Sequence, residues 1–211
     1  MRLAGPRRLL RDAPAFRSLF LATAASGAGS WLAVIALTVD VWDRTGSGAW
    51  VSGLLVADFL PLVLVGLALG PLVDRLPRKR LLVGADAIRL GVFAALPFVH
   101  AAWGFVALAA VAGCATAFFR PAVYAGLPNL VDEADLPVAN AALQAADRVT
   151  TMLGPLAGGA LVAAAGTGLA YALNAASFGV SALLLAGVAA GRLQAGRAPS
   201  RGHWRDLREG W

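Results

Sequence analysis

The sequence has little charge for its length and almost no cysteine. Of its 211 residues only 14% are Asp, Glu, Lys or Arg and 59% are hydrophobic, whereas soluble domains carry about a quarter charged residues. With a mean hydropathy of +0.71, this composition predicts a membrane protein. The single cysteine, Cys114, excludes an intrachain disulfide and a multi-cysteine metal site. Because Cys114 lies in an apolar run, we expect it to be a small core residue.

Enzyme motifs are also missing. The sequence contains no H-E-x-x-H, no G-x-S-x-G and no P-loop pattern, so it offers no known zinc-protease, serine-hydrolase or nucleotide-binding signature. The two histidines, His100 and His203, lie far apart. An intramembrane protease would need two facing aspartates, and nothing near Asp58 or Asp147 supports that chemistry. We therefore predict that the protein is not an enzyme and has no metal site and no cofactor.

The charge balance is basic, but its distribution argues against a nucleic-acid partner. The net charge is +6 and the pI is about 10.9. A nucleic-acid groove needs Lys and Arg interleaved with aromatic residues on one solvated face. Here the basic residues cluster in segments that apolar runs hold apart. The expected partner is the lipid bilayer, with no nucleic acid.

Six apolar runs are long enough to cross a bilayer, which takes about 20 mostly apolar residues per helix. Short polar breaks separate them. The runs predict transmembrane helices over residues 16–41, 49–73, 81–99, 101–127, 138–165 and 169–190. The sequence therefore predicts an all-α membrane protein, with a six-helix bundle over residues 16–190 between terminal segments 1–15 and 191–211.

Basic residues orient this bundle, because Lys and Arg in short loops mark the cytoplasmic side. They cluster before the first run, after the second and after the sixth, whereas only Arg44 lies on the opposite side. The clusters are Arg2, Arg7, Arg8, Arg11 and Arg17; Arg75, Arg78, Lys79 and Arg80; and Arg192, Arg197, Arg201, Arg205 and Arg208. Both termini are predicted to be cytoplasmic, in a multi-pass protein of the plasma or inner membrane.

The break after the second run, "GPLVDRLPRKRLL" from Gly70, holds five charges within seven positions. It resembles the loop signature between the second and third helices of the major facilitator superfamily, G-x-L-a-D-r-x-G-r-k-x-x-l. Pro77 stands where that pattern has glycine. The matching positions are Gly70, Leu72, Asp74, Arg75, Arg78, Lys79 and Leu82.

Two interpretations of this loop stay open. Its positive charge alone would anchor the topology, with Asp74 as a local counter-ion. Alternatively the loop gates the cytoplasmic side, with Asp74 paired to a basic group or a helix N-terminus in one conformation only. Such a pair biases the two-state equilibrium that alternating access requires. The gating residues would be Gly70, Asp74, Arg75, Arg78 and Lys79.

The fifth run contains "TMLGPLAGGAL", which is similar to the G-x-x-x-G-P-x-x-G-G motif of the superfamily's antiporters. Gly154, Pro155, Gly158 and Gly159 match, and Thr150 replaces the first glycine. Small residues four apart also allow close helix packing, and a proline permits a kink. Packing and mechanical roles both stay open for these residues.

The resemblance covers essentially the whole chain. "FFRPAVYAGLPNLV" and "ANAALQ" look like the branch with macrolide-efflux and siderophore-export proteins. The resemblance implies that the chain is the N-terminal half of a twelve-helix fold, built as a 3+3 inverted repeat. Residues 191–211 resemble the start of the linker between the two halves. The resemblance further implies proton-coupled efflux of drugs, siderophores or similar amphipathic molecules by alternating access. The alternative is a truncated or half-size protein that needs a second six-helix half, or a homodimer, to transport.

Ionisable residues inside the runs carry the strongest functional signal, because each costs roughly 2.5–3.5 kcal/mol at a helix centre. They are Asp58, Asp86, Arg89, Arg120, Asp147 and Arg148. Their charges sum to zero, which suggests an internally paired network in a polar interior.

Spacing distinguishes these groups. Asp86 and Arg89 can form a local i,i+3 pair, whereas Asp147 and Arg148 are adjacent and must reach other helices. Asp58 has no basic residue within a helical turn. We therefore expect Asp58 to be the carboxylate that takes up and releases a proton.

A further charged group lies at the outer edge of the first run. Asp40, Asp43 and Arg44 stand beside Trp42 and Trp50. Tryptophan is enriched at membrane interfaces, so interfacial anchoring explains this group better than transport does.

Overall fold

The computed structural model describes residues 5–68 and 76–194. These residues form helices joined by short turns, and no β-strand occurs among them. The α-helices are α1 (Pro6–Asp12), α2 (Pro14–Thr45), α3 (Gly48–Ala68), α4 (Arg78–Ala95), α5 (Ala102–Gly126), α6 (Leu136–Ala186) and α7 (Ala190–Leu193). Short 3-10 turns lie at Leu96–Phe98, Leu127–Asn129 and Glu133–Asp135. Within this part of the chain, five helices are long and apolar enough to cross a membrane.

Local sequence explains the tight connection between α2 and α3. Helix α2 begins with Pro14 in its first turn, a position where the missing N–H is unused. It ends at Gly46, which adopts a left-handed conformation with φ of 58° and ψ of 17°. The Gly46 N–H donates to the Trp42 carbonyl at 2.8 Å. This glycine cap lets α3 start two residues later.

Helix α6 is too long to cross a bilayer once. Its 51 residues would extend about 77 Å if straight, against a hydrocarbon core of about 30 Å. Gly166 interrupts it with non-helical angles, φ of 78° and ψ of 174°. We call residues 136–165 helix α6a and residues 167–186 helix α6b.

The packing of α6 shows that the chain turns back at Gly166. Leu143 near the start of α6a and Leu185 near the end of α6b belong to the same core cluster. Leu161 and Ala170, on the two sides of Gly166, both pack in the other cluster. Helices α6a and α6b therefore form an antiparallel hairpin.

Two apolar clusters hold the bundle together, one toward each end of the helices. The first centres on Phe16, Leu82, Phe119, Leu143 and Leu185. The second centres on Val41, Leu54, Phe93, Phe105 and Phe178. Each cluster joins residues from α2, α4, α5 and α6, so the apolar runs of the sequence converge on a common interior.

The outer surface of the bundle is also apolar. Met152, Leu156 and Leu183 are each more than 70% exposed. In water such a surface would be costly, but in a bilayer it meets lipid. Cys114 lies on this outer surface of α5, so the expectation that it is a core residue was wrong. Apolar sequence on a membrane helix does not separate its inner from its outer face.

The predicted runs agree closely with the helices. The first, third and fourth differ by a few residues at their ends, and the second agrees as far as Ala68; its last residues, 69–73, lie outside the described residues. The fifth and sixth runs are α6a and α6b, divided where the sequence has "GTG" from Gly166.

Candidate functional site

A cavity of about 160 Å³ lies inside the bundle, with walls from α2, α3, α4, α5, α6a and α6b. Apolar and aromatic side chains form most of its surface, and the aromatic ones are Trp31, Phe59, Phe93 and Phe178. Hydroxyl groups come from Thr23, Ser30 and Thr116. Its charged side chains are Asp58, Arg89, Arg120 and Asp147. Four of the six predicted intramembrane charges therefore share one cavity.

Asp58 is the charged residue of this cavity without a partner. It lies near the middle of α3, and no hydrogen bond or ion pair reaches its carboxylate from residues 5–68 or 76–194. Helix α5 passes close by, because Gly113 packs directly against the Asp58 carbonyl, where a Cβ atom would overlap it. The backbone at Asp58 is thus fixed while its side chain stays free to bind.

Asp86 and Arg89 form the local pair that their spacing suggested. Arg89 Nη2 donates to Asp86 Oδ1 at 2.5 Å, and both side chains are almost fully buried. Ser181 on α6b donates its hydroxyl to Asp86 Oδ2 at 2.6 Å. Arg89 lines the cavity, whereas Asp86 does not. This arrangement joins α4 to α6b. The Ser181 contact could not be predicted, because a lone serine in an apolar run is uninformative.

Two phenyl rings pack against the Arg89 guanidinium. Its Cζ atom lies 4.3 Å from the ring centroid of Phe119 and 4.4 Å from that of Phe178. Cation–π attraction of this kind strengthens when the cation is desolvated. Arg89 Nε is buried and has no hydrogen-bond acceptor. Neither phenylalanine was identified from the sequence, where each looks like an ordinary apolar core residue.

Arg120 and Asp147 form a second, more open pair. Arg120 Nη2 lies 3.4 Å from Asp147 Oδ2, and the side chains are 46% and 42% exposed. As expected, Asp147 reaches another helix, since Arg120 is on α5. Its neighbour Arg148 points to the outside of the bundle, is exposed and makes no ion pair with any described residue. The six charged residues were expected to form one network. Among the described residues four of them form two separate pairs, and Arg148 and Asp58 have no ion-pair partner.

At the end of α2, Asp40 is buried rather than solvated. Arg44 Nε donates to Asp40 Oδ1 at 2.7 Å, and the Tyr171 hydroxyl donates to Asp40 Oδ2 at 3.0 Å. Trp42 and Trp50 are exposed, as suits interfacial residues. Asp40 and Arg44 differ from the anchoring role expected for them, because they link α2 to α6b through Tyr171.

Of the predicted gating residues, Arg78 and Lys79 are among the described residues. Gly70, Asp74 and Arg75 lie outside the described residues. Arg78 donates from Nη1 to the Leu193 carbonyl at 3.2 Å, and Lys79 Nζ donates to the Ala186 carbonyl at 2.6 Å. Ala186 is the last residue of α6. A cation at the C-terminal carbonyls of a helix is favoured by the helix dipole. The first turn of α4, where Arg78 and Lys79 lie, therefore contacts the end of α6b and the residues after it.

The glycines of the fifth run divide into two groups. Cβ atoms at Gly154 and Gly158 would meet α2, at Trp31 and Leu32, whereas one at Gly159 would meet nothing within 4 Å. Pro155 lies within α6a, but the non-helical backbone of α6 is at Gly166. Gly154 and Gly158 thus permit close contact of α6a with α2.

Comparison with known proteins identifies the family. The family model described as Major Facilitator Superfamily matches residues 19–211. The "Multidrug efflux pump Tap" of Mycobacterium tuberculosis (strain ATCC 25618 / H37Rv) is 32% identical over 185 residues, covering 82% of this chain and 43% of that protein.

Two further relatives match over fewer residues and at a lower identity. The "Uncharacterized MFS-type transporter YfiS" of Bacillus subtilis (strain 168) is 28% identical over 178 residues, 84% of this chain and 43% of that protein. "Macrolide efflux protein A" of Streptococcus pyogenes is 31% identical over 126 residues, 57% of this chain and 31% of that protein. The chain spans less than half the length of these relatives.

Proposed function

The chain belongs to the major facilitator superfamily, and on that premise we propose that it is one six-helix half of a proton-coupled exporter of amphipathic small molecules. Its membrane location follows from the family and from the apolar helices. Efflux is supported by the names of its relatives, a multidrug efflux pump and a macrolide efflux protein. Drugs, siderophores and similar compounds are the substrate classes that this proposal includes.

The observation that carries the proposal is the unpaired Asp58 carboxylate in the cavity. Among the described residues, no basic side chain neutralises it, unlike Asp86, Asp147 and Asp40. An uncompensated carboxylate in an apolar cavity is costly unless it binds a proton or a cationic ligand. Asp58 is therefore suited to exchange one for the other.

Competition at this one carboxylate would couple transport to the proton gradient. In the outward-facing state Asp58 takes up a proton, which displaces the substrate. The bundle then changes to the inward-facing state, where Asp58 releases the proton and binds the next substrate molecule. Since one carboxylate cannot hold both, each cycle exchanges a substrate molecule for a proton.

Six crossings with both termini in the cytoplasm are part of this proposal. Because α6 turns back at Gly166, it supplies a fifth and a sixth span of ordinary length. A 3+3 inverted repeat within these six spans is part of the proposal. The basic residues Arg78 and Lys79, with Gly70, Asp74 and Arg75, would then form the gating loop on the cytoplasmic side.

One side of the cavity, at Arg120 and Asp147, is exposed on the surface of the bundle. Arg120 and Asp147 are nearly half exposed, and charged groups within a membrane face a protein interior or water rather than lipid. We propose that a second six-helix half, or a second copy of this chain, covers this side and completes the transport pathway.

Dye transport in everted membrane vesicles tests the function. The chain would be expressed alone and together with a second six-helix half, and proton-driven accumulation of a fluorescent dye measured in each case. We expect Asp58→Asn to reduce gradient-driven accumulation to the level of vesicles without the protein, because the amide cannot exchange a proton.

Asp43→Asn is the matched control, since Asp43 is exposed at the end of α2 and should transport normally. Gradient-driven transport by Asp58→Asn at the rate of the unmodified protein would contradict the role of Asp58. Absence of transport in every combination would contradict the exporter itself.

A further inference from the structure

The Arg89 guanidinium has hydrogen-bond donors that the protein does not use. Nη2 donates to Asp86, whereas Nε is buried without an acceptor. Nη1 makes no hydrogen bond with a described residue, since the one hydrogen bond of the guanidinium is donated by Nη2. Arg89 is 3% exposed and lines the cavity. Because Nε is fully buried, Nη1 is the unused donor that is left for a ligand in the cavity.

The surroundings of Arg89 hold these donors in place. The Phe119 and Phe178 rings pack against the guanidinium, and Asp86 is fixed in turn by Ser181 on α6b. A guanidinium restrained on three sides cannot turn to find another partner. A ligand that excludes water from the cavity must therefore supply the acceptor for Nη1, or that donor stays unpaired.

We propose that Arg89 is a specificity-determining residue, which selects substrates that carry a carbonyl or similar uncharged acceptor oxygen. The acceptor is uncharged because Asp86 already balances the charge of Arg89. Asp58 on the opposing helix α3 takes the cationic group of the same molecule, and Trp31 and Phe59 contact its aromatic part. The substrate class is thus an aromatic cation with an acceptor oxygen. This inference rests on the proposed export function at the same cavity.

Unpaired donors explain why selection would be strong. Water that enters the cavity can accept a hydrogen bond from Nη1, and a ligand that displaces such water without replacing its hydrogen bond loses affinity. Sites built to hydrogen-bond a ligand reject analogues that lack the bonding group far more strongly than apolar pockets reject a missing methylene. A hydrogen bond from a charged donor corresponds to about 10- to 150-fold in affinity.

A pair of small aromatic cations tests this proposal directly. The compounds 4-acetyl-N,N,N-trimethylanilinium and 4-isopropyl-N,N,N-trimethylanilinium have the same permanent charge and similar shape, but only the first carries a carbonyl oxygen. Binding of each to the purified full chain in lipid nanodiscs would be measured by titration calorimetry. We expect the acetyl compound to bind at least tenfold more tightly.

Variants assign the preference to Arg89. The double variant Asp86→Asn/Arg89→Gln removes both members of the buried pair without leaving a lone charge, and we expect it to bind the two compounds equally. Arg148→Gln removes an exposed arginine outside the cavity and should keep the preference of the unmodified chain.

The outcomes separate this inference from the export function. Equal binding of the two compounds by the unmodified chain would overturn the role of Arg89, while dye transport in vesicles would still support an exporter. A preference that persists in the double variant would overturn it as well. Binding of neither compound would overturn both the role of Arg89 and the cavity as the substrate site.

Discussion

At the residue scale, the buried contacts of Asp86 distinguish it from Asp58, the acid that we propose to be functional. Both of its oxygens accept hydrogen bonds, from Arg89 and from Ser181, and the charge of Arg89 compensates its own. Asp58 has the same side chain but no such contacts. The two aspartates therefore have different surroundings: Asp86 fixes α4 to α6b, whereas the proposed role of Asp58 in binding depends on its lack of a partner.

Ser181→Ala is expected to destabilise the bundle, because it leaves Asp86 Oδ2 buried without a donor. The cost of such a loss is about 1–3 kcal/mol, and each kcal/mol lowers the melting temperature of a chain of this size by roughly 2–4 °C. Thermal unfolding of the detergent-purified protein measures it. Ser52→Ala is the control, since Ser52 is exposed and makes no hydrogen bond with a described residue. An unchanged melting temperature for Ser181→Ala would show that the contact contributes nothing.

The pairing of charged residues could be predicted from the sequence, whereas the residues that contact them from other helices could not. The i,i+3 pairing of Asp86 with Arg89 and the isolation of Asp58 follow from spacing alone, and both are confirmed. The contacts of Ser181, Tyr171 and Phe178 were not foreseen, because each depends on how separate helices pack. Local spacing carries no information about residues that are distant in the chain.

At the element scale, α6 shows how small residues set the distance between helices. Gly154 and Gly158 face α2, and the α2 backbone at Leu32 lies 3.1 Å from where a Cβ at Gly158 would be. Backbone atoms cannot rotate away as a side chain can. The same helix carries Gly159, whose Cβ would meet open space. One motif therefore contains residues under different constraints.

These two glycines give a matched comparison. Gly158→Ala is expected to lower stability by about 1–3 kcal/mol, because the added methyl separates α6a from α2. Gly159→Ala should leave stability unchanged or raise it slightly, since alanine favours the helix by up to about 1 kcal/mol. Thermal unfolding of the two variants in detergent, with dye accumulation in vesicles, measures both effects. Equal losses of stability would mean that helix contact is not what constrains Gly158.

At the scale of the whole molecule, the sequence predicts six apolar spans, and among residues 5–68 and 76–194 five continuous helices are long and apolar enough to cross. The division of α6 into a fifth and a sixth span stays a prediction, and "GTG" from Gly166, which interrupts the apolar run, coincides with the non-helical backbone at Gly166. Which faces of the helices point inward was not predictable, as the wrong placement of Cys114 shows. In a bilayer both faces are apolar, so hydrophobicity sets the crossings and packing alone sets the interior.

Cysteine labelling tests the proposed topology in a Cys114→Ser background. Ser47→Cys and Gly168→Cys should react with a membrane-impermeant maleimide added to intact cells, because both positions would lie outside. Ala189→Cys should react only after the membrane is opened, since it would lie in the cytoplasm. Protection of Gly168→Cys in intact cells, together with labelling of Ala189→Cys, would contradict the six-crossing arrangement.

The exposed position of Cys114 has a further consequence. Because it is the single cysteine of the sequence and lies on the outer surface of α5, the unmodified protein can carry one spin label at a known place. Relaxation of that label by oxygen dissolved in lipid, compared with a water-soluble nickel complex, reports its depth of immersion. A label shielded from both reagents would instead reveal that another protein surface covers this side of α5.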